Sequence, residues 1–175
     1  EYTFPTLSIV DPDLMLSIPS KLTAYQGFDA LFHAVEGYIA NIANEISDMY
    51  ALKSIELIGK SLVKAVNNRE DENARTDVAL ASTLSGMVES TSSCISEHSL
   101  EHALSGFHQE LPHGAGLIMI SLAYFEHFSS IVPERMINMA RVLGDKNATK
   151  PTDFVKVLKQ LQIDCGVYGM KLSDY

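Results

Sequence analysis

Apolar residues recur along this chain at intervals of three and four, and that spacing restricts it to packed helices. Leu52, Ile55, Ile58, Leu62 and Val66 form one stripe, and Ala74, Val78, Ala81, Leu84 and Val88 form a second. On an α-helix such positions share one face, which must be buried against another element. Start and stop signals divide the rest. Pro19-Ser20 opens a long helical stretch to about Ala40, a second helix starts near Ser47, and the polar run Asn67 to Asp71 breaks it. The Ser/Thr-rich segment Glu89 to Ser96 reads as a loop or helix end, and Glu97 to Gly106 as a short helix. Pro112 to about Phe128 is apolar almost all round, which predicts a central, buried helix. Pro133 starts a further helix that Gly144 ends, and Thr152 is placed to cap a last one with Phe154, Val155, Leu158 and Leu161 on its core face. The first ten residues, with Leu7, Ile9 and Val10, read as one strand stopped by Asp11-Pro12-Asp13. The expected fold is all-α: a helical bundle of six to seven helices with one short N-terminal strand.

The 175 residues suit one ordinary domain, and 46% hydrophobic against 20% charged residues supports a packed core. A formal charge of −9 argues against clamping nucleic acid or an anionic membrane, both of which attract Lys/Arg footprints. The longest apolar run, Ala115 to Tyr124, is interrupted by Ser121 and is about half of the roughly 20 residues a bilayer span needs. No signal-peptide pattern follows Glu1 and Tyr2. Cys94 and Cys165 make no disulfide framework and lack metal-ligand spacing, so they read as free thiols in a reducing, cytoplasmic setting, with one bridge between them as the alternative. A lone strand needs a sheet partner, and Gly166 to Tyr175 carries no capping signal. Both features suggest a piece of something larger.

Chemistry concentrates in the histidines. Of six, His98, His102, His108 and His113 fall within sixteen residues. Asp29 and His33 lie four apart in GFDALFHAVEGY, as do His98 and His102 in EHSLEHAL, so each pair shares a helix face one turn apart. His113, in LPHGAG, stands where a loop enters the next helix. Imidazoles and a carboxylate converging from separate helices can hold a divalent metal. The plainer reading makes each pair a weak surface ion pair and the helix after His113 ordinary core. Glu97 and Glu101 read either as solvated charges or as partners of the imidazoles, and His127 as a surface histidine. The combination favours the metal.

These motifs resemble the C-terminal, all-helical domain of the iron-containing (group III) alcohol dehydrogenases. One signature stands as Gly27, Asp29, Ala30, Leu31, His33, Ala34, Glu36 and Tyr38, and the other as His98, His102, Ala103, Leu104, Phe107, Pro112, His113 and Gly114. The turn Asp11-Pro12-Asp13-Leu14 also looks like the family's, and the likeness spans about Leu7 to Arg141. The resemblance implies that Asp29, His33, His98 and His113 bind one Fe2+, for which Zn2+ could substitute. It implies that His102 lies between metal and nicotinamide as a proton-relay candidate and that Leu14 lies near the cofactor. His33 favours the four-ligand iron branch over a zinc branch lacking that histidine. His108 stands where an aromatic is common.

The family's glycine-rich phosphate loop does not occur here. Residues 1–175 are therefore expected to be a helical metal-binding fragment, without the N-terminal dinucleotide-binding domain or the final helices. The implied whole enzyme uses NAD or NADP to interconvert small alcohols with aldehydes or ketones, and often forms homo-oligomers. The fragment alone is expected to be inactive. Two other classes compete. A metal-storage bundle of the ferritin type needs Glu-x-x-His pairs, whereas Glu97-His98 and Glu101-His102 have the wrong order. A structural interaction module would bind no metal tightly.

Overall fold

A computed structural model describes residues 5–175. Seven α-helices account for most of them: α1 (Ser20–Ile39), α2 (Glu45–Asn67), α3 (Glu72–Thr91), α4 (Ser96–Phe107), α5 (His113–Phe128), α6 (Pro133–Leu143) and α7 (Asp153–Asp164). Short 3-10 turns lie at Pro12–Met15 and Leu172–Asp174. The bundle is as expected; the strand is not. No strand forms among the described residues, and 5–10 run as irregular chain. Leu7 and Ile9 are 77% and 83% exposed, so the alternation that suggested a strand has no sheet to face. The start of that segment, residues 1–4, lies outside the described residues.

Helix α1, rather than α5, is the central element. Fourteen of its 20 residues are buried, and α2, α3, α5 and α6 all pack on it. Helix α5 is buried all round over its first turns, Gly114–Ile118, but beyond them on one side only, through Ser121 and Phe125, while Met119, Leu122 and Tyr124 are half-buried. Its all-round apolarity therefore does not mark the middle of the bundle. The α2 and α3 stripes do face the core: Ile55, Ile58 and Leu62 are fully buried, as are Ala81 and Val88. A spine of rings crosses the molecule from α1 to α7. Phe28 meets Phe32 at 5.9 Å, Phe32 meets Phe125 at 5.9 Å, and Phe125 meets Phe154 edge-on at 5.5 Å between centroids.

Caps fix the helix starts. Asn44 Oδ1 accepts from the amides of Ile46 and Ser47, and Ser47 Oγ accepts from the Asn44 amide, which sets the start of α2 two residues earlier than its apolar pattern suggested. Asn44 Nδ2 also donates to the Thr91 carbonyl at 2.9 Å, tying the start of α2 to the end of α3. Thr152 makes no side-chain cap, because its backbone is already helical. Asp153 takes over and accepts from the amides of Thr149 and Lys150 at 3.1 and 2.9 Å. Buried Arg75 pins the segment before α1 to α3, donating to Thr23 Oγ1 and the Ile18 carbonyl.

Two close approaches depend on glycine. A Cβ at Gly59 on α2 would lie 2.2 Å from the Leu143 carbonyl oxygen, so α2 and the end of α6 meet backbone to backbone. A Cβ at Gly114 would lie 2.4 Å from the Tyr25 carbonyl oxygen, which seats the first turn of α5 on α1. Gly59→Ala should cost about 1–3 kcal/mol, because the carbonyl cannot rotate aside as a side chain would. Urea denaturation of the two proteins measures it; unchanged stability would mean that α6 shifts freely on α2.

Candidate metal centre

Three histidines from three helices converge on one carboxylate oxygen. Asp29 Oδ1, on α1, lies 3.3 Å from His33 Nδ1, 3.4 Å from His98 Nε2 and 3.3 Å from His113 Nε2. Each helix supplies its part for a local reason. The four-residue interval stacks His33 one turn above Asp29. His98 lies in the first turn of α4, and His113 is the first residue of α5, after Pro112.

The far nitrogen of two of the rings is occupied. His98 Nδ1 donates to Glu36, which is fully buried on α1, and His113 Nδ1 donates to the fully buried Glu101 on α4. A carboxylate only accepts, so the proton sits on Nδ1 and Nε2 is left facing Asp29. His33 Nδ1 bonds the Asp29 carbonyl at 2.8 Å, and its Nε2 turns toward Glu89 at 3.7 Å. Asp29, His98 and His113 thus have ligand atoms all within 4.8 Å of one another, whereas His33 makes such a group with Cys94 and His98. Of the four residues singled out from sequence, three form one cluster and the fourth flanks it.

Glu36 does more than orient a ring. Its oxygens also accept from the amides of Ile95, Glu97 and His98 at 3.0, 2.8 and 3.1 Å. It therefore caps α4 with a carboxylate supplied by α1, where the helix dipole favours negative charge. The sequence reading assigned Glu36 no role, although its position seven after Asp29 and three after His33 puts all three on one face.

The surroundings set the charges. Burial works against charge on Asp29, but hydrogen bonds from His113, His33 and His98 outweigh it and hold its carboxyl well below the usual range. Burial likewise opposes protonation of His98, yet Asp29, Cys94 and Glu36 together push its pKa up to about 12. His113 is raised chiefly by Asp29, and His33 is raised by Asp29 against the effect of burial. Glu97 is fully buried, neither of its oxygens has a hydrogen-bond partner among the described residues, and burial raises its carboxyl well above the ordinary value. Neither Glu97 nor Glu101 is solvated; Glu101 is the imidazole partner.

Of the remaining candidates, His102 adjoins the cluster, with a ring nitrogen within 4.8 Å of ligand atoms of Glu101 and His113, and the others are peripheral. His102 is exposed, with its ring 5.3 Å from His113 and 6.3 Å from His98. Leu14 is 76% exposed on the 3-10 turn, which lies against α3. His108 and His127 are exposed. Both cysteines are free; Cys94 is half-buried and Cys165 buried. Shallow grooves reach Asp29 from two sides, one lined with His33, Ser85 and Glu89, the other with Leu22, Tyr25 and His113. The larger cavity, lined by Lys21, Val66, Cys165 and Tyr175, contains none of these residues.

Glu36→Ala would leave three amides and an imidazole unpaired in the interior. A loss of roughly 3 kcal/mol or more is expected in urea denaturation, with Glu36→Gln losing less because it retains an acceptor oxygen. Equal losses in the two variants would contradict the capping role.

Residues 23–175 match the profile described as Fe-containing alcohol dehydrogenase family, C-terminal. The chain is 43% identical over 152 residues to alcohol dehydrogenase 4 of Schizosaccharomyces pombe, covering 85% of this chain and 36% of that protein. It is 36% identical over 142 residues to the NAD-dependent methanol dehydrogenase of Bacillus methanolicus, covering 81% and 37% respectively. A crystal structure of an archaeal halo-thermophilic alcohol dehydrogenase from a Red Sea brine pool superposes with a TM-score of 0.91 at 30% identity, over 98% of this chain and 44% of that one. The chain spans less than half the length of each. With the bundle and both signatures matched over this extent, the chain belongs to the iron-containing alcohol dehydrogenase family, in its C-terminal part.

Proposed function

We propose that the chain is the metal-binding portion of an NAD(P)-dependent alcohol dehydrogenase, with Asp29, His33, His98 and His113 holding one divalent ion. The observation that carries this is the convergence on Asp29 Oδ1 of imidazole nitrogens from three helices, two of them Nε2 atoms whose rings are fixed from behind by buried glutamates. One carboxylate and three imidazoles suit Fe2+ and equally Zn2+, which the affinity order places higher. In keeping with the length covered, the partner would be an N-terminal dinucleotide-binding domain in the same enzyme, and the substrates small alcohols and the matching aldehydes or ketones.

When bound, the metal would supply Lewis acidity at the substrate oxygen, and NAD(P) would accept or return the hydride. The chain's own residues do the rest. Glu36 and Glu101 keep His98 and His113 in the tautomer that presents Nε2. The grooves beside Asp29 give a small substrate access. His102, exposed at the outer edge of the cluster, is placed to pass a proton between the site and solvent. Leu14 offers an apolar surface on the turn before α1, where a nicotinamide could rest.

Metal analysis of the anaerobically purified chain should find about one divalent ion per molecule, lost in His98→Ala. A wild-type chain that binds neither Fe2+ nor Zn2+ would overturn the reading. The pH dependence has a fixed sign. Because the folded-state pKa of His98 is raised to about 12, the metal-free cluster holds that proton at neutral pH and binding must displace it; His33 and His113 are raised in the same direction. Affinity should therefore fall as pH falls, by about tenfold per pH unit for each proton displaced. Calorimetry in buffers of different ionisation enthalpy counts those protons.

A further inference from the structure

Cys94 adds a soft donor to the histidine cluster. Its Sγ and one ring nitrogen each from His33 and His98 lie within 4.8 Å of one another. The two rings are themselves 4.1 Å apart between centroids. The thiol sits in the loop between α3 and α4, and α1 holds that loop on both sides of it. Ser92 Oγ donates to the Gly37 carbonyl at 2.9 Å, and the Ile95 amide donates to Glu36 at 3.0 Å. The thiol is therefore held beside the imidazoles by the same helix that carries Asp29 and His33. Cys94 forms no disulfide.

We propose that His33, Cys94 and His98 form a second, sulfur-containing coordination pocket for thiophilic divalent ions, overlapping the Asp29, His33, His98 and His113 site proposed above through His33 and His98. This inference rests on the metal-site reading above. The two pockets differ in the donor that decides preference. Asp29 offers a hard carboxylate oxygen, whereas Cys94 offers a thiolate, which favours zinc, cadmium and cobalt over magnesium or manganese. His33 and His98 serve either pocket, His33 lying 3.3 Å from Asp29 on one side and grouped with Cys94 and His98 on the other. An ion in the second pocket gains sulfur and gives up Asp29 and His113, so the two occupants exclude one another. Binding at Cys94 replaces the S–H bond with a metal–sulfur bond and releases the proton to solvent.

Co2+ titration of the anaerobic chain tests this by absorbance. The visible d–d bands report any bound cobalt, and a near-ultraviolet thiolate-to-cobalt charge-transfer band reports sulfur ligation. The wild type should show both. Cys94→Ser should lose the charge-transfer band and bind Cd2+ more weakly, with Mn2+ affinity unchanged. Because the chain has only two cysteines, Cys165→Ser provides an independent assignment if Cys94→Ser fails to fold: a band retained there belongs to Cys94. Visible bands without charge transfer would overturn the Cys94 pocket and leave the metal centre standing. A charge-transfer band that survives Cys94→Ser or disappears in Cys165→Ser would overturn it too. No bands of either kind would overturn both readings.

Discussion

The carboxylate of Glu36 is the interaction on which the site depends. It is fully buried, and four donors meet it: three amides at the start of α4 and the Nδ1–H of His98. An ionised carboxylate in the interior is costly unless every lone pair is used. Here the donors come from a helix end, where unpaired amides are unavoidable, and from an imidazole. One side chain thus joins α4 to α1 and fixes the ring that must face Asp29. Glu101, on α4, orients His113 in the same way, although its other oxygen is buried without a hydrogen-bond partner among the described residues. The centre is built by two acids that do not themselves belong to it.

Charge around the site is distributed unevenly. Asp29 stays ionised because three imidazoles face it, whereas Glu97, one residue before His98, is buried without a partner and favours its neutral form. The unpartnered acid lies close enough to Glu36 for the two negative charges to oppose one another. Burial without a donor is the larger cause of the rise at Glu97, and the neighbouring carboxylate adds to it. The histidines then provide the positive charge that the neighbouring carboxylates require, in protonated form or through a bound cation.

Much of this was legible in the sequence. The stripes on α2 and α3 placed Ile55, Ile58, Leu62, Ala81 and Val88 correctly, because helical period and burial are coupled directly. The signature histidines led to Asp29, His98 and His113. What escaped depended on neighbours distant in sequence. Leu7, Ile9 and Val10 alternate as a strand would, but alternation does not supply a partner strand. The apolarity of α5 suggested the centre, yet the ring spine and the small residues of α1 make α1 the middle. Glu36 looked like one more polar residue in a motif; only the docking of α4 gives it four donors. Thr152 is a good capping residue in the abstract, but a helical backbone and the adjacent Asp153 leave it nothing to cap.

The pairing of Glu36 with His98 spans 62 residues, and that of Asp29 with His98 spans 69. Everything between them is α2 and α3, which pack mainly on each other and on α1. Those helices meet through short connections and need little loop closure, whereas the contacts of the centre must close a loop around the whole α2–α3 pair. The centre therefore has high contact order within a fold of mostly local contacts. The centre forms only when α4, which packs chiefly on α5, is also tied to α1 through Glu36, so loosening of that tie would open the site while the α1–α2–α3 core stays packed.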